Sequence, residues 1–156
     1  MFYVSYFYQL RFFPQNLIPV STAVWDPRWF SPAQYKDWLP PHERYPIFAG
    51  SHGVVYGVRC PALSPMGIEH GMECVVCDHN NSKTCLFLKS YYKHLESLDF
   101  ESTVRRIEDN CKRIRKDADI ALIVHEAPTN PCSERVMLQK WFKVHGRELP
   151  EWHPNS

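Results

Sequence analysis

The chain contains no uninterrupted apolar run of about 20 residues, the length that a bilayer-spanning helix requires, so no transmembrane segment is expected. Its opening, MFYVSYFYQLRFF, has no basic leader, and Gln9 and Arg11 cut the apolar run short of an export signal's core. These absences lead to the expectation of a cytoplasmic protein with no membrane partner, whose cysteines act as thiols or metal ligands rather than disulfides. Surplus charge is missing too. A formal net charge of +1 excludes duplex binding driven by a global basic field. The most basic stretch, Arg105, Arg106, Lys112, Arg113, Arg115 and Lys116, is interleaved with Glu108 and Asp109 and reads as a solvated helix face. There is no internal repeat, no low-complexity tract and no Gly-rich loop ending in Lys-Ser/Thr, which removes P-loop nucleotide hydrolysis.

What is present is a chain of 156 residues, 44% hydrophobic, enough for one core and one domain spanning 1–156. Its best-specified unit is Ala118–Phe142. Ile120–Val124 is a short β-branched apolar run between polar flanks, the pattern of a covered parallel strand. Behind it Asn130 suits an N-cap and Pro131 the first helical position, with Val136, Met137, Trp141 and Val144 following at helical spacing. Phe2–Tyr6 and Leu17–Val24 read as earlier strands, Pro19 placing the second at the sheet's margin. Ser31 and Pro32 open a short helix running through Trp38. Helices are expected from Thr84, with Leu88, Tyr91, Tyr92 and Leu95 on one face, and from Asp99, with Phe100, Val104, Ile107, Cys111 and Ile114. Cys111 lies inside that stripe and is a core residue. Gly146 stops the last helix, and Glu148–Trp152 forms a short edge strand.

Two loops follow strands and carry chemistry. Trp25-Asp26-Pro27-Arg28-Trp29-Phe30 sets a charged pair among aromatics, where open parallel sheets build ligand crevices. The competing interpretation has Trp25, Trp29 and Phe30 covering the sheet edge while Asp26 pairs with Arg28. At the second loop a helix starting at Pro131 would bring the N–H groups of Cys132, Ser133 and Glu134, the Ser133 hydroxyl and the Arg135 guanidinium to one spot, suited to phosphate or carboxylate.

Between 58 and 85 the regular pattern fades, and Cys60, Cys74, Cys77 and Cys85 lie in or beside that stretch. Four thiolates, two of them from a Cys-x2-Cys turn, would close a tetrahedral zinc site and order a loop lacking its own packing. His70 or His79 can replace one sulfur, and an iron–sulfur cluster uses the same four-cysteine set. Reduced cysteines without metal, or a redox pair at Cys74 and Cys77, are the other options. No thioredoxin-like strand leads into the motif, which argues against the redox pair.

Some reactions are disfavoured by spacing. Only Ser133 and Glu134 separate Cys132 from Arg135, too few for a phosphatase loop that wraps a phosphate in backbone amides. No His-x-Glu lies upstream of Cys74, so a zinc deaminase is disfavoured. Cys132 as nucleophile and His125 as base remain the catalytic candidates, His125 also fitting the role of a polar residue that closes the strand.

The start IPVSTAVWDPRWF, the end ALIVHEAPTNPCSERVMLQKWF and the strand Tyr3-Val4-Ser5-Tyr6-Phe7 resemble the family catalogued as domain of unknown function 488, in particular a branch carried by bacteria and phages. The resemblance implies a small three-layer, Rossmann-like α/β domain with a mostly parallel sheet, into which the cysteine-rich zinc-binding segment 58–85 is inserted. Many members show Cys-His-Arg where this chain has Cys132-Ser133-Glu134-Arg135. What carries over is Cys132 and Arg135 before the last helix and Arg28 after the second strand.

The functional expectation is binding of a phosphate-bearing ligand, a nucleotide or nucleic-acid end, by Trp25, Asp26, Arg28, Asn130, Ser133 and Arg135. Rings stack on a base while guanidinium holds its phosphate. The alternatives are an enzyme acting on that ligand through Cys132 or His125, and a phage-type protein-interaction or inhibitor module.

Overall fold

The computed structural model describes residues 1–23, 26–39, 58–59, 72–73, 86–125, 127–129 and 133–154, with backbone alone at 58–59, 72–73, 86–87 and 90. It is a mixed α/β fold around a parallel sheet. Strands β1 (Phe2–Tyr6) and β2 (Leu17–Ser21) flank β5 (Asp119–Val124) in the order β1-β5-β2, and a separate parallel pair joins β3 (Val58–Arg59) to β4 (Met72–Glu73). Helices α1 (Leu86–Glu96), α2 (Phe100–Ile114) and α3 (Arg135–Val144) complete the chain, with 3-10 helices at Phe7–Phe12 and Pro32–Gln34. Among the described residues no helix is long and apolar enough to cross a membrane.

The period-2 alternation of the strands decides the layering. Val4, Leu122 and Val20 stand in register and face one core with Leu88, Tyr91, Leu95, Phe100, Val104, Ile107 and Cys111. Ala121 and Ile123 face the opposite way, into a second core with Phe7, Leu10, Leu17, Phe30, Trp38 and Trp152. A sheet covered on both faces needs apolar residues at nearly every position of its middle strand, which is why β5 reads DIALIV.

Both outer edges of the sheet are covered by single bridges. The Val4 N–H donates to the Pro150 carbonyl at 3.0 Å and the Trp152 N–H to the Val4 carbonyl at 2.9 Å, which realises the expected edge segment at Glu148–Trp152 as the bridge Val4↔Glu151. On the other side the Leu39 N–H donates to the Pro19 carbonyl at 3.0 Å and the Ser21 N–H to the Leu39 carbonyl at 2.9 Å. Pro19 therefore aligns with Ala121 of β5 while turning its ladder-forming side outward, so its missing N–H costs β5 no hydrogen bond.

The helix starts follow local chemistry. Asp99 caps α2 by accepting the Ser102 N–H at 2.9 Å, and hydrogen bonds from Ser102 hold its carboxyl below the usual value. Ile114, expected in the α2 stripe, is instead 37% exposed at the helix end. Cys111 is buried, and that burial pushes its thiol up to about 12. Gly146 adopts φ +77°, and the N–H groups of Gly146 and Arg147 satisfy the carbonyls of Lys143 and Phe142 at 3.0 Å, closing α3. The segment expected as a helix from Ser31 through Trp38 is shorter, a 3-10 helix ending at Gln34, because its buried anchors are the single rings Phe30 and Trp38 rather than a helical stripe.

Candidate functional site

All three strands of the main sheet run parallel, so their C-terminal ends, Tyr6, Ser21 and Val124, share one edge, and the loops leaving them meet there. The loop after β2 reaches across to the segment after β5. Thr22 Oγ1 lies 2.9 Å from the Ile123 carbonyl and 3.2 Å from Glu134 Oε1, and both residues are buried. The Thr22 N–H donates to the same Ile123 carbonyl at 2.9 Å, extending the ladder past the strand. Glu134 is thereby anchored over the β2 side of β5.

Arg135 goes the other way. Its Nε donates to Glu151 Oε1 at 2.5 Å and its Nη1 to Ser133 Oγ at 3.2 Å, with the guanidinium 5.7 Å from the centre of the Tyr6 ring. The side chain is only 4% exposed, so this is a buried ion pair between the head of α3 and the bridge on the outer edge of β1. Burial pushes the Glu151 carboxyl up while the Arg135 charge opposes the rise. Adjacent residues thus splay over β5: Glu134 ties α3 to β2, and Arg135 ties it to the segment beyond β1.

The head of α3 also differs from the sequence expectation. Its first helical residue is Arg135, one turn beyond Pro131, and Glu134 occupies the N-cap position. The Arg135 N–H is accepted by Ser133 Oγ at 3.3 Å, the Val136 N–H by the Ser133 carbonyl at 3.2 Å, and the Met137 N–H by the Glu134 carbonyl at 3.0 Å. The Arg135, Val136 and Met137 amides are thus satisfied within the chain, while Cys132, whose N–H belongs to the expected cradle with those of Ser133 and Glu134, lies outside the described residues. Ser133 caps, and Arg135 binds a carboxylate of its own protein.

On the β2 side, the Phe30 N–H donates to the Pro27 carbonyl at 3.0 Å, and this turn turns Arg28 and Trp29 outward. Trp29 is 60% exposed, whereas Phe30 is buried in the second core against Phe7, Trp38 and Tyr35. Asp26 lies inside the turn. Burial raises its carboxyl above the usual value, the His125 charge opposes that rise, and its Oδ1 is buried without a hydrogen bond to any described residue. His125, directly after β5, sets its ring 5.2 Å from Phe7. The expected residues Asp26, Arg28, His125, Ser133 and Arg135 therefore all follow strand ends at the same edge.

Trp25, Asn130, Cys132, Cys60, Cys74, Cys77, Cys85, His70 and His79 lie outside the described residues. Arg59 and Glu73, which immediately precede Cys60 and Cys74 in the chain, are register partners in the β3–β4 pair. Among the described residues no group of three or more His, Cys, Asp or Glu is placed to hold a metal. The basic stretch around Arg105 and Arg113 is the solvent face of α2, where Asp109 sits among the arginines lining a shallow depression of about 290 Å³.

Sequence reasoning missed Thr22, Glu134 and Glu151. Glu134 enters the sequence reading through its backbone N–H and as a spacer between Cys132 and Arg135, not through its carboxylate, although a carboxylate directly before a helix is a recognisable N-terminal signal. Glu151 carries no local signal, because its partner is 16 residues away. Comparison with family models, with curated proteins and with solved structures finds no match.

The Arg135–Glu151 pair sets a stability expectation. Glu151→Gln strands a buried guanidinium and costs about 3 kcal/mol, whereas the double replacement Arg135→Met with Glu151→Leu restores most of that loss. Urea denaturation midpoints of the wild type and both variants measure the difference.

Proposed function

We propose that the strand-end edge binds a phosphate-bearing ligand, a nucleotide or the end of a nucleic acid. Arg28 is the anion-binding group of this reading and Trp29 the ring that covers the base. The observation that supports it most is the turn at 27–30, which carries the exposed Arg28 next to the largely exposed indole of Trp29 at the strand-end edge where Thr22, Glu134 and His125 also lie. Arg135 acts as a positioning residue that fixes the head of α3. Kinship with the family of domain of unknown function 488, a Rossmann-like arrangement and a cytoplasmic location belong to the same proposal. Titration with inorganic phosphate, mononucleotides and short oligonucleotides tests it. Binding of at least one of these, weakened about tenfold or more by Arg28→Ala, a loss in the range of a charge-assisted hydrogen bond, supports the assignment. Equal affinity of wild type and variant for every ligand overturns it.

A second reading makes the edge catalytic. It is favoured by Asp26, a half-buried acid whose carboxyl burial raises above its usual value while the charge of His125 opposes the rise, the arrangement of an acid/base pair. His125 then moves a proton at the bound ligand and Asp26 orients it. Turnover that falls at least a hundredfold in His125→Ala while ligand affinity is retained supports this role. Undiminished turnover removes it.

The same proposal gives Cys60, Cys74, Cys77 and Cys85 a zinc ion. Its support is the Cys-x2-Cys spacing, together with the Arg59–Glu73 pairing that sets the residues before Cys60 and Cys74 side by side. Elemental analysis is expected to find one zinc per chain, with a chelator lowering the melting temperature. Metal-free protein with a chelator-independent melt contradicts the assignment, and iron in place of zinc assigns the cluster alternative.

A further inference from the structure

The aromatic surface beside the crevice is larger than one nucleotide requires. Tyr8 and Phe12, 50% and 49% exposed, stand on the first 3-10 helix with ring centres 6.1 Å apart. Arg11 lies over the Tyr8 ring at 4.1 Å and is held there by its Nε, which donates to the Tyr8 carbonyl at 3.1 Å. Trp29 stands at the tip of the neighbouring turn. The two groups are joined underneath by Phe7 and Phe30, whose rings meet edge to face at 5.0 Å, and Phe7 also contacts His125 of the crevice.

Charge sorts with this surface. Across the whole chain 18 basic residues nearly balance 17 acidic ones. Within residues 1–36, however, Asp26 is the single acid against Arg11, Arg28 and Lys36, and the next acid, Asp37, is paired with Arg115 at 2.6 Å. Exposed rings in an acid-poor setting, each beside a guanidinium, match a partner that alternates π-faces with anions.

Resting on the proposed binding of a phosphate-bearing ligand in the crevice, we propose that Tyr8, Arg11, Phe12 and Trp29 form a stacking platform for single-stranded nucleic acid whose end enters that crevice. Bases stack on the three rings, and Arg11 and Arg28 hold the phosphates between them. A duplex is a poorer partner, because its bases hide their faces from the rings and the near-zero net charge supplies no field for its backbone. A protein partner would lack the alternating negative charge that the arginines address.

Fluorescence anisotropy with a labelled oligothymidylate, competed by thymidine monophosphate and by duplex DNA, tests the platform. The oligothymidylate binds more tightly than the mononucleotide, and Tyr8→Ala or Phe12→Ala each weakens it by roughly five- to tenfold while leaving the mononucleotide affinity unchanged. Arg11→Ala lowers the slope of log affinity against log salt by about 0.7, one phosphate contact on a single strand. Tyr8, Arg11 and Phe12 are exposed, so the variants keep the wild-type melting temperature. Mononucleotide binding with no gain for the oligonucleotide, duplex binding as tight as single-strand binding, or indifference of the oligonucleotide to Tyr8→Ala and Phe12→Ala overturns the platform and leaves the crevice standing. Absence of binding by both mononucleotide and oligonucleotide overturns the platform and the crevice together.

Discussion

β5 is hydrogen-bonded to a parallel strand on each side and packed against an apolar core on each face, so every group it carries is spoken for before the chain leaves the sheet. That burial makes its C-terminal end a fixed reference point. The segment that follows turns back to α3 and must settle its own polar groups at the sheet's edge, where water is scarce and an unmet donor or acceptor costs about 1–3 kcal/mol. Glu134 and Arg135 settle them by diverging, one carboxylate to Thr22 beyond β2 and one guanidinium to Glu151 beyond β1. The helix is tethered on both sides of the central strand, and the loops of β1 and β2 are brought into its reach.

This tethering leaves the head of α3 without the features of an anion site. A helix N-terminus after a parallel strand is a frequent phosphate site because its first amides are unpaired. Here Ser133 and the carbonyls of Ser133 and Glu134 take the first amides, a carboxylate stands at the cap, and the arginine is neutralised internally. The exposed arginines on this side of the sheet are Arg28, after β2, and Arg11 on the first 3-10 helix.

The parts of the fold legible in the sequence were those governed by neighbours along the chain. The β-branched run at Ile120–Val124, the helix start at Asp99, the buried Cys111 and the Gly146 stop each depend on residues within a turn or two, and the structure places them as their local patterns require. The start of α3 was misread for an instructive reason. Asn130-Pro131 is a sound local signal, but the helix begins at Arg135, and Glu134 directly before it is held by Thr22, 112 positions away in the chain, a contact that no local pattern shows. Arg135 followed the same logic: a guanidinium at a helix head looks like an anion site until the outer-edge bridge supplies Glu151.

Asp26 lies at the same edge, after β2. A carboxyl that burial holds toward its neutral form, with an oxygen lacking a hydrogen bond to any described residue, is an unfavourable thing to keep at a sheet's edge unless something makes use of it. Asp26 shares that condition with Arg135 Nη2 and Glu151 Oε2, which are also buried without a hydrogen bond to any described residue, but those two belong to an ion pair. Asp26 is the one acid among residues 1–36, is coupled electrostatically to His125 and directly precedes the turn that carries Arg28. A carboxyl donates a hydrogen bond to an anion only when it is neutral, and burial shifts Asp26 in that direction. Phosphate binding at this edge, as proposed, therefore turns on Asp26 and Arg28 rather than on the head of α3, whose guanidinium is paired with Glu151.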